Sequence, residues 1–124
     1  MKILYRILLN EAKDSEGRHI GPCDGYKPEH PLVQSYSEII ERSGDEDRLM
    51  DAIFPTKFNL ALCEELFERF NIDHPKDYRN RSLCVGDVVV LERSHNDCVA
   101  FAVDRFGFKQ VECPMGQTSL TAVL

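Results

Sequence analysis

Residues 78–112, YRNRSLCVGDVVVLERSHNDCVAFAVDRFGFKQVE, hold the longest apolar, β-branched run of the chain, followed by two turn signals. Gly86 and Asp87 interrupt the chain just before this run, and β-branched residues bounded by turn formers are typical of strands. Gly107 can adopt a positive φ in a tight turn. The predicted segments are a strand at 88–91, a loop at 94–97, a second strand at 98–103, a turn at 104–107 and a third strand at 108–112. Together they predict a three-stranded antiparallel meander.

The N-terminal segment, residues 2–9, carries apolar side chains on both faces of an alternating pattern, which favours an internal strand. We expect it to join the meander, because three strands alone would leave an open edge. Residues 14–31 contain six glycines and prolines and predict a long loop. The N-terminus lacks the long apolar region of a secretory signal, and no segment is long and apolar enough to span a membrane. We therefore expect a cytoplasmic protein with no membrane partner.

A first helix is predicted from Ser35 to Gly44. Ser35 and Glu38 have the spacing of a capping box ahead of two isoleucines, and Gly44 is a typical helix-ending residue. Like the helices that follow it, this one is expected to pack on the sheet.

Two further helices are predicted to follow. We expect Asp45 to cap the second helix and Pro55 to end it, because proline cannot continue a helix. Asn59 is expected to cap the third, which ends near residue 71. The apolar stripes expected to face the sheet are Leu49, Met50, Ile53 and Phe54 in the second helix, and Leu62, Cys63, Leu66, Phe67 and Phe70 in the third.

The predicted fold class is α+β. A small antiparallel sheet, made of the N-terminal strand and the C-terminal three-stranded meander, is covered on one side by two or three helices. A chain of 124 residues suits a single domain over residues 1–124. The tail after residue 113 is expected to add a short edge strand or to fray.

The acidity of the chain is concentrated in its helical segment. Nine acidic and four basic side chains lie between residues 38 and 70, whereas the whole chain has a formal net charge of −6. An acidic face attracts basic surfaces, including the grooves by which nucleases hold DNA or guide RNA. The candidate partner-binding residues are Asp45, Glu46, Asp47 and Asp51. The alternative is that these acids favour a helix N-terminus and form an ordinary solvated face.

A second candidate surface is basic. Tyr78 lies among arginines, and an aromatic ring interleaved with basic side chains can stack on a base or flank a phosphate. The candidate nucleic-acid contacts are Lys76, Tyr78, Arg79, Arg81 and Arg93. Alternatively, Arg81 and Asp87 form a local pair that pins the turn into the first strand of the meander.

The sequence contains no recognisable catalytic or metal-binding pattern. Asp87 and Asp104 could face each other across the sheet, but aspartate is common at turns in any case. The five cysteines, at 23, 63, 84, 98 and 113, form no Cys-x-x-Cys pair, so we expect reduced, apolar side chains. We therefore expect no enzymatic activity, no catalytic residues, no cofactor and no bound metal.

Three pieces of the sequence resemble the YodL-like domain family, small domains carried largely by plasmids and conjugative elements of Gram-positive bacteria. The resemblance covers about residues 60–112. The matching pieces are Asn71 with His74-Pro75-x-Asp77-Tyr78, Arg81-Ser82-Leu83-x-Val85-x-Asp87-Val88-Val89, and Val103-Asp104-x-Phe106-Gly107-Phe108. Asn80, Cys84 and Arg105 depart from the pattern.

The resemblance implies a protein of mobile elements, which are selected to disarm restriction and CRISPR nucleases of the bacterial host. We therefore expect a non-enzymatic inhibitor of a defence nuclease, most specifically an anti-CRISPR protein that acts on a type II effector or on its guide RNA assembly. Its expected partners are the CRISPR effector nuclease or another host defence enzyme, with guide RNA as a second contact. The alternative is a nucleic-acid or protein-binding accessory module in plasmid transfer or replication. A small metal-dependent or hydrolytic enzyme is a third class.

Overall fold

The computed structural model describes residues 1–94 and 97–114. In these residues a five-stranded antiparallel sheet, in the order β2-β1-β3-β4-β5, combines with three helices, which confirms the predicted α+β fold. The elements are β1 (Lys2–Asn10), α1 (Gly21–Asp24), β2 (Leu32–Glu41), α2 (Asp45–Ile53), α3 (Pro55–Ile72), β3 (Val88–Ser94), β4 (Asp97–Asp104) and β5 (Gly107–Val111). Residues 95–96 of the predicted loop and residues 115–124 of the predicted tail lie outside the described residues.

β1 is an internal strand of the sheet, as its two apolar faces predict. It pairs antiparallel with β2 on one side and with β3 on the other. Every residue of β1 after Lys2 is buried. The meander is also confirmed: β3 pairs with β4 and β4 with β5, and Gly107 adopts the positive φ of 99° that the turn requires.

The predicted helix from Ser35 to Gly44 is wrong, because most of this segment belongs to the edge strand β2. The two isoleucines lie on opposite faces of the sheet, where Ile40 pairs with Ile3 and Ile39 with Leu4. Ser35 sits at an irregularity in the register, where its hydroxyl donates to the carbonyl oxygen of Ile7. Pairing with β1 therefore overrides the local capping-box pattern.

The other two helices are confirmed, but their first residues differ from the prediction. Gly44 rather than Asp45 is the N-cap of α2, with no side-chain capping bond. α3 begins at Pro55, which is favourable at a first helical position because the missing N–H has no partner there anyway. Asn59 is therefore a buried residue inside α3 and not its cap.

Apolar clusters form on both faces of the sheet. The face beneath α3 joins Ile3, Tyr5, Ile7, Leu9, Val89, Leu91 and Phe101 to Phe58, Leu62, Cys63, Leu66 and Phe70 of the helix. The opposite face carries Leu8, Leu32, Val88, Val90, Ala100 and Ala102. The stripe predicted for the third helix thus packs on the sheet as expected.

One charged pair is buried in the sheet itself. Nε of Arg6 lies 3.5 Å from Oε1 of Glu92, and Nη1 of Arg6 donates to Oε1 of Gln34 at 2.9 Å. A guanidinium can be buried at this depth because its charge is compensated by a neighbouring carboxylate.

Cys98 and Cys113 form a disulfide, so the prediction of five reduced cysteines is wrong for this pair. Ala100 of β4 pairs with Val111 of β5, and continuing this register places the two cysteines opposite each other. Their Cα atoms are 6.7 Å apart, which is within the range that a disulfide spans. Cys63 is a buried apolar side chain as predicted, and burial raises the pKa of its thiol to about 12.

Candidate functional site

Helix α2 is the most exposed part of the helical layer, because none of its residues is buried. Its side chains Leu49 and Ile53, together with Phe54 just after it, are 60%, 57% and 53% exposed. The prediction that this stripe packs on the sheet is therefore wrong for these three residues, although Met50 does pack against the core. α3 already covers the sheet, so α2 packs mainly against α3 and leaves its apolar side in solvent.

The acidic residues of α2 divide into two groups. Asp45, Glu46 and Asp47 lie in the first turn, and none has an ion pair among the described residues. Asp45 and Glu46 are exposed. Carboxylates in a first turn are also favoured by the helix dipole, so their position alone does not establish a binding role.

The carboxylate of Asp51 is paired with a side chain of the protein itself. Its Oδ1 accepts from Nη2 of Arg93 at 2.8 Å, and the same nitrogen donates to Oδ1 of Asn59 at 2.7 Å. The guanidinium of Arg93 also lies 5.7 Å from the centre of the Phe58 ring. The structure thus joins Asp51 and Arg93, which the sequence assigned to different surfaces. Together with Asn59, they connect α2 and α3 to β3.

We name as the α2 surface the exposed residues Asp45, Glu46, Leu49, Ile53 and Phe54. It combines carboxylates with large apolar groups over α2 and the residue that follows it, about two and a half helical turns. The apolar part could not be inferred from the sequence, since the same spacing is typical of a stripe that faces a core.

A second polar cluster lies where β1 ends and β3 begins, and we name it the polar lock: Asn10, His30, Arg81, Gly86 and Asp87. Asp87 is fully buried. Its two oxygens accept from the backbone N–H groups of Asn10 and Cys84, at 2.8 Å each, and from both terminal nitrogens of Arg81, at 2.6 and 2.9 Å. The hydrogen bond to Asp87 raises the pKa of Arg81 above its usual value, even though burial acts in the opposite direction.

The remaining contacts of the polar lock fix the long segment between β1 and β2. Nδ2 of Asn10 donates to the carbonyl oxygen of Gly86 at 3.0 Å and to Nδ1 of the buried His30 at 3.1 Å. Gly86 has a φ of +96°, and a Cβ there would lie 2.8 Å from the carbonyl oxygen of Gly21. The structure thus confirms the alternative interpretation of Arg81, in which it pairs with Asp87 at the turn into β3.

Tyr78 is a core residue. Its ring packs edge-on against Phe70, with centroids 4.9 Å apart, and its hydroxyl donates to the carbonyl oxygen of Arg81. Burial raises the pKa of this hydroxyl. Because only 6% of Tyr78 is exposed, the ring cannot stack on a nucleic-acid base without leaving the core.

The five candidate nucleic-acid contacts do not form one patch. Lys76 and Arg79 are exposed in the loop after α3, and Arg79 donates to the carbonyl oxygen of Lys76. Arg93 lies near the other end of β3 from Arg81, about 20 Å away at the usual rise per strand residue. Lys76, Arg79 and Arg81 are exposed in the loop after α3, but the guanidinium of Arg81 is bound to the buried Asp87, so Lys76 and Arg79 are the candidates in this loop that no carboxylate pairs with among the described residues.

Asp87 and Asp104, the two carboxylates considered as a pair in the sequence, lie in different environments. Asp87 is buried and saturated with hydrogen bonds, whereas Asp104 is exposed and accepts from the backbone N–H of Arg105. No group of three or more potential metal-ligating side chains converges within the described part of the chain. None of the helices described is both long enough and apolar enough to cross a membrane.

Comparison with known protein families identifies the domain to which most of the chain belongs. The profile of the YodL-like domain family matches residues 28–113, an interval that runs from just before β2 to just after β5 and includes α2. No curated protein and no solved structure is significantly similar to the chain. Since the matched interval is well over half of the 124 residues, the chain belongs to the YodL-like domain family.

Proposed function

We propose that this chain is a non-enzymatic protein of mobile elements that inhibits a bacterial defence nuclease by binding it through the α2 surface. The proposed target class is a type II CRISPR effector or the assembly of its guide RNA. The observation that carries the proposal is the exposure of Leu49, Ile53 and Phe54 beside acids that have no ion pair among the described residues.

The α2 surface resembles a nucleic acid in its chemistry. A groove that binds single-stranded nucleic acid combines basic side chains, which hold phosphates, with apolar or aromatic platforms, on which bases stack. Asp45 and Glu46 supply negative charge, and the three apolar side chains supply surface that such platforms can cover. An interface of this kind has an apolar centre and a charged rim, as strong protein interfaces commonly do.

The test is DNA cleavage by a type II effector, with the protein added before or after guide RNA loading. Inhibition only when it is added first places its action on guide assembly, and inhibition in both orders places it on DNA binding or cleavage. Absence of inhibition in either order, with an active effector, removes this target class.

Variants test the surface separately from the target. Reversing Asp45 and Glu46 to lysine should abolish inhibition without unfolding the domain. The matched control reverses Glu29 and Glu112, two exposed acids outside the α2 surface, and should leave inhibition intact. Full inhibition by the folded Asp45→Lys, Glu46→Lys variant excludes the proposed mechanism.

The alternative proposal is an accessory module of plasmid transfer or replication that binds nucleic acid through Lys76 and Arg79, which are exposed. Binding of RNA or single-stranded DNA should then weaken steeply with salt, because phosphate contacts release counterions. Replacing both residues by glutamate should remove the binding. Binding that is unchanged in this variant argues against the loop as the contact.

A further inference from the structure

Phe106 is the most exposed large apolar residue of the described chain, with 99% of its surface accessible. It lies at the tip of the turn between β4 and β5. The positive φ of Gly107 and the hydrogen bond from the backbone N–H of Arg105 to Asp104 define this turn. The ring is therefore presented by a short turn between two paired strands.

A groove of about 280 Å³ lies directly beside this tip. Its lining residues are Glu64 and Phe67 of α3 and Val103, Asp104, Arg105, Gly107 and Phe108 of the hairpin. The rings of Phe67 and Phe108 meet edge-on within it, with centroids 6.1 Å apart. Residues on both sides of Phe106 line the groove, but Phe106 itself does not, so the ring does not fill the groove of its own chain.

We propose that the occupant of this groove is Phe106 of a second copy of the chain. A protruding ring and an apolar groove on the same edge are self-complementary, so a two-fold axis places each ring in the groove of the other copy. Burying an aromatic ring removes on the order of 200 Å² from water, and such rings are frequent anchors of interfaces. A single two-fold arrangement would therefore bury both the exposed Phe106 ring and the groove.

The charges at the groove are compatible with the same symmetry. Glu64 lies on the helical wall and Arg105 on the hairpin wall. Both are exposed, and neither has an ion pair among the described residues, although Nη2 of Arg105 donates to the carbonyl oxygen of Cys23 at 3.2 Å. A two-fold axis through the interface brings Arg105 of each copy towards Glu64 of the other. A segment of an unrelated protein could fill the groove, but it would leave Phe106 itself uncovered.

The first test is the oligomeric state by sedimentation velocity, at protein concentrations up to about 0.5 mM so that even a weak dimer is detected. The wild-type chain should dimerise, and Phe106→Ser should raise the dissociation constant about 100-fold or more, since two anchors are lost per dimer. The matched control is Ile72→Ser, at a residue that is 79% exposed and does not line the groove, and it should dimerise like the wild type. A wild-type chain that remains monomeric, or Phe106→Ser chains that dimerise equally well, would overturn the proposal.

Charge exchange tests the geometry. Glu64→Arg and Arg105→Glu should each weaken self-association about tenfold, because each homodimer then opposes like charges. An equimolar mixture of the two variants should form heterodimers with wild-type affinity, since both ion pairs are restored between unlike copies. Association of the mixture no better than that of either variant alone would overturn the two-fold arrangement.

Discussion

The polar lock and the α2 surface both consist of polar residues beside apolar ones, yet they relate to the fold in opposite ways. In the polar lock, Asp87 is fully buried and receives four hydrogen bonds from three other residues. In the α2 surface, Asp45 and Glu46 are exposed, and the apolar side chains beside them are more than half exposed. We therefore expect substitutions in the polar lock to destabilise the fold and substitutions of the α2 surface to leave its stability nearly unchanged.

The sequence piece through which the chain most clearly resembles its family lies in the polar lock and not in the α2 surface. The segment Arg81-Ser82-Leu83-x-Val85-x-Asp87, through which the chain resembles its family, lies in and around the polar lock. Hydrogen bonds inside the protein already occupy its charged groups. This part of the family pattern therefore serves the fold of this chain, whereas the binding surface proposed above lies outside it, on α2.

The largest expected effect is that of Asp87→Ala. This change leaves the guanidinium of Arg81 without its carboxylate and leaves the backbone N–H groups of Asn10 and Cys84 without acceptors. Loss of one partner of a buried pair should lower the free energy of unfolding by about 3–5 kcal/mol, measured by urea denaturation. Asp87→Asn, which keeps the shape, should cost about 2 kcal/mol. The exposed control Asp104→Ala should change stability by about 0.5 kcal/mol or less, and an equally small effect at Asp87 would contradict the structural role of the lock.

Gly86→Ala should have the next largest effect, and Gly17→Ala is its matched control. Both glycines have positive φ, 96° and 82°, but a Cβ at Gly86 meets the backbone of Gly21, whereas a Cβ at Gly17 has nothing within 4 Å. The control should cost only the conformational strain of about 1–2 kcal/mol. Gly86→Ala should cost about 1–3 kcal/mol more, because the backbone must move apart. Equal losses in thermal or urea unfolding would show that the close approach is unimportant.

Smaller effects on the free energy of unfolding are expected within α2. They should distinguish Asp51, which is bonded to Arg93, from Asp45, which has no ion pair among the described residues. Asp51→Asn should lower the free energy of unfolding by about 1–2 kcal/mol, because Arg93 loses a charged acceptor. Asp45→Asn should cost about 0.5 kcal/mol or less, the usual contribution of an exposed acid at a helix N-terminus. If both variants unfold at the same urea concentration, the contact between Asp51 and Arg93 does not stabilise the fold, and Asp51 is available for binding like Asp45.

The sequence was sufficient to predict the meander, the internal first strand, α2 and α3, because each has a clear pattern of its own. It was insufficient for β2. Ser35, Glu38 and the two isoleucines fit a short helix as well as a strand, and only the pairing of this segment with β1 decides between them. The sequence also could not show which side of α2 contacts the core. Leu49 and Ile53 have the spacing of core residues, but they are exposed because α3 already covers the sheet.

The smallest expected effect on stability is that of Leu49→Gln combined with Ile53→Gln. Glutamine has a helix propensity close to that of leucine, and the two side chains are 60% and 57% exposed, so each change should alter the free energy of unfolding by about 0.5 kcal/mol or less. Met50→Gln is the matched control on the inner side of the same helix and should cost about 1 kcal/mol, because Met50 packs against the core. If the double variant keeps its stability but loses inhibition, then the exposed apolar residues serve binding and not folding. A loss of stability larger than that of Met50→Gln would instead mean that α2 uses these residues within the fold, and the proposed interface would have to lie elsewhere on the chain.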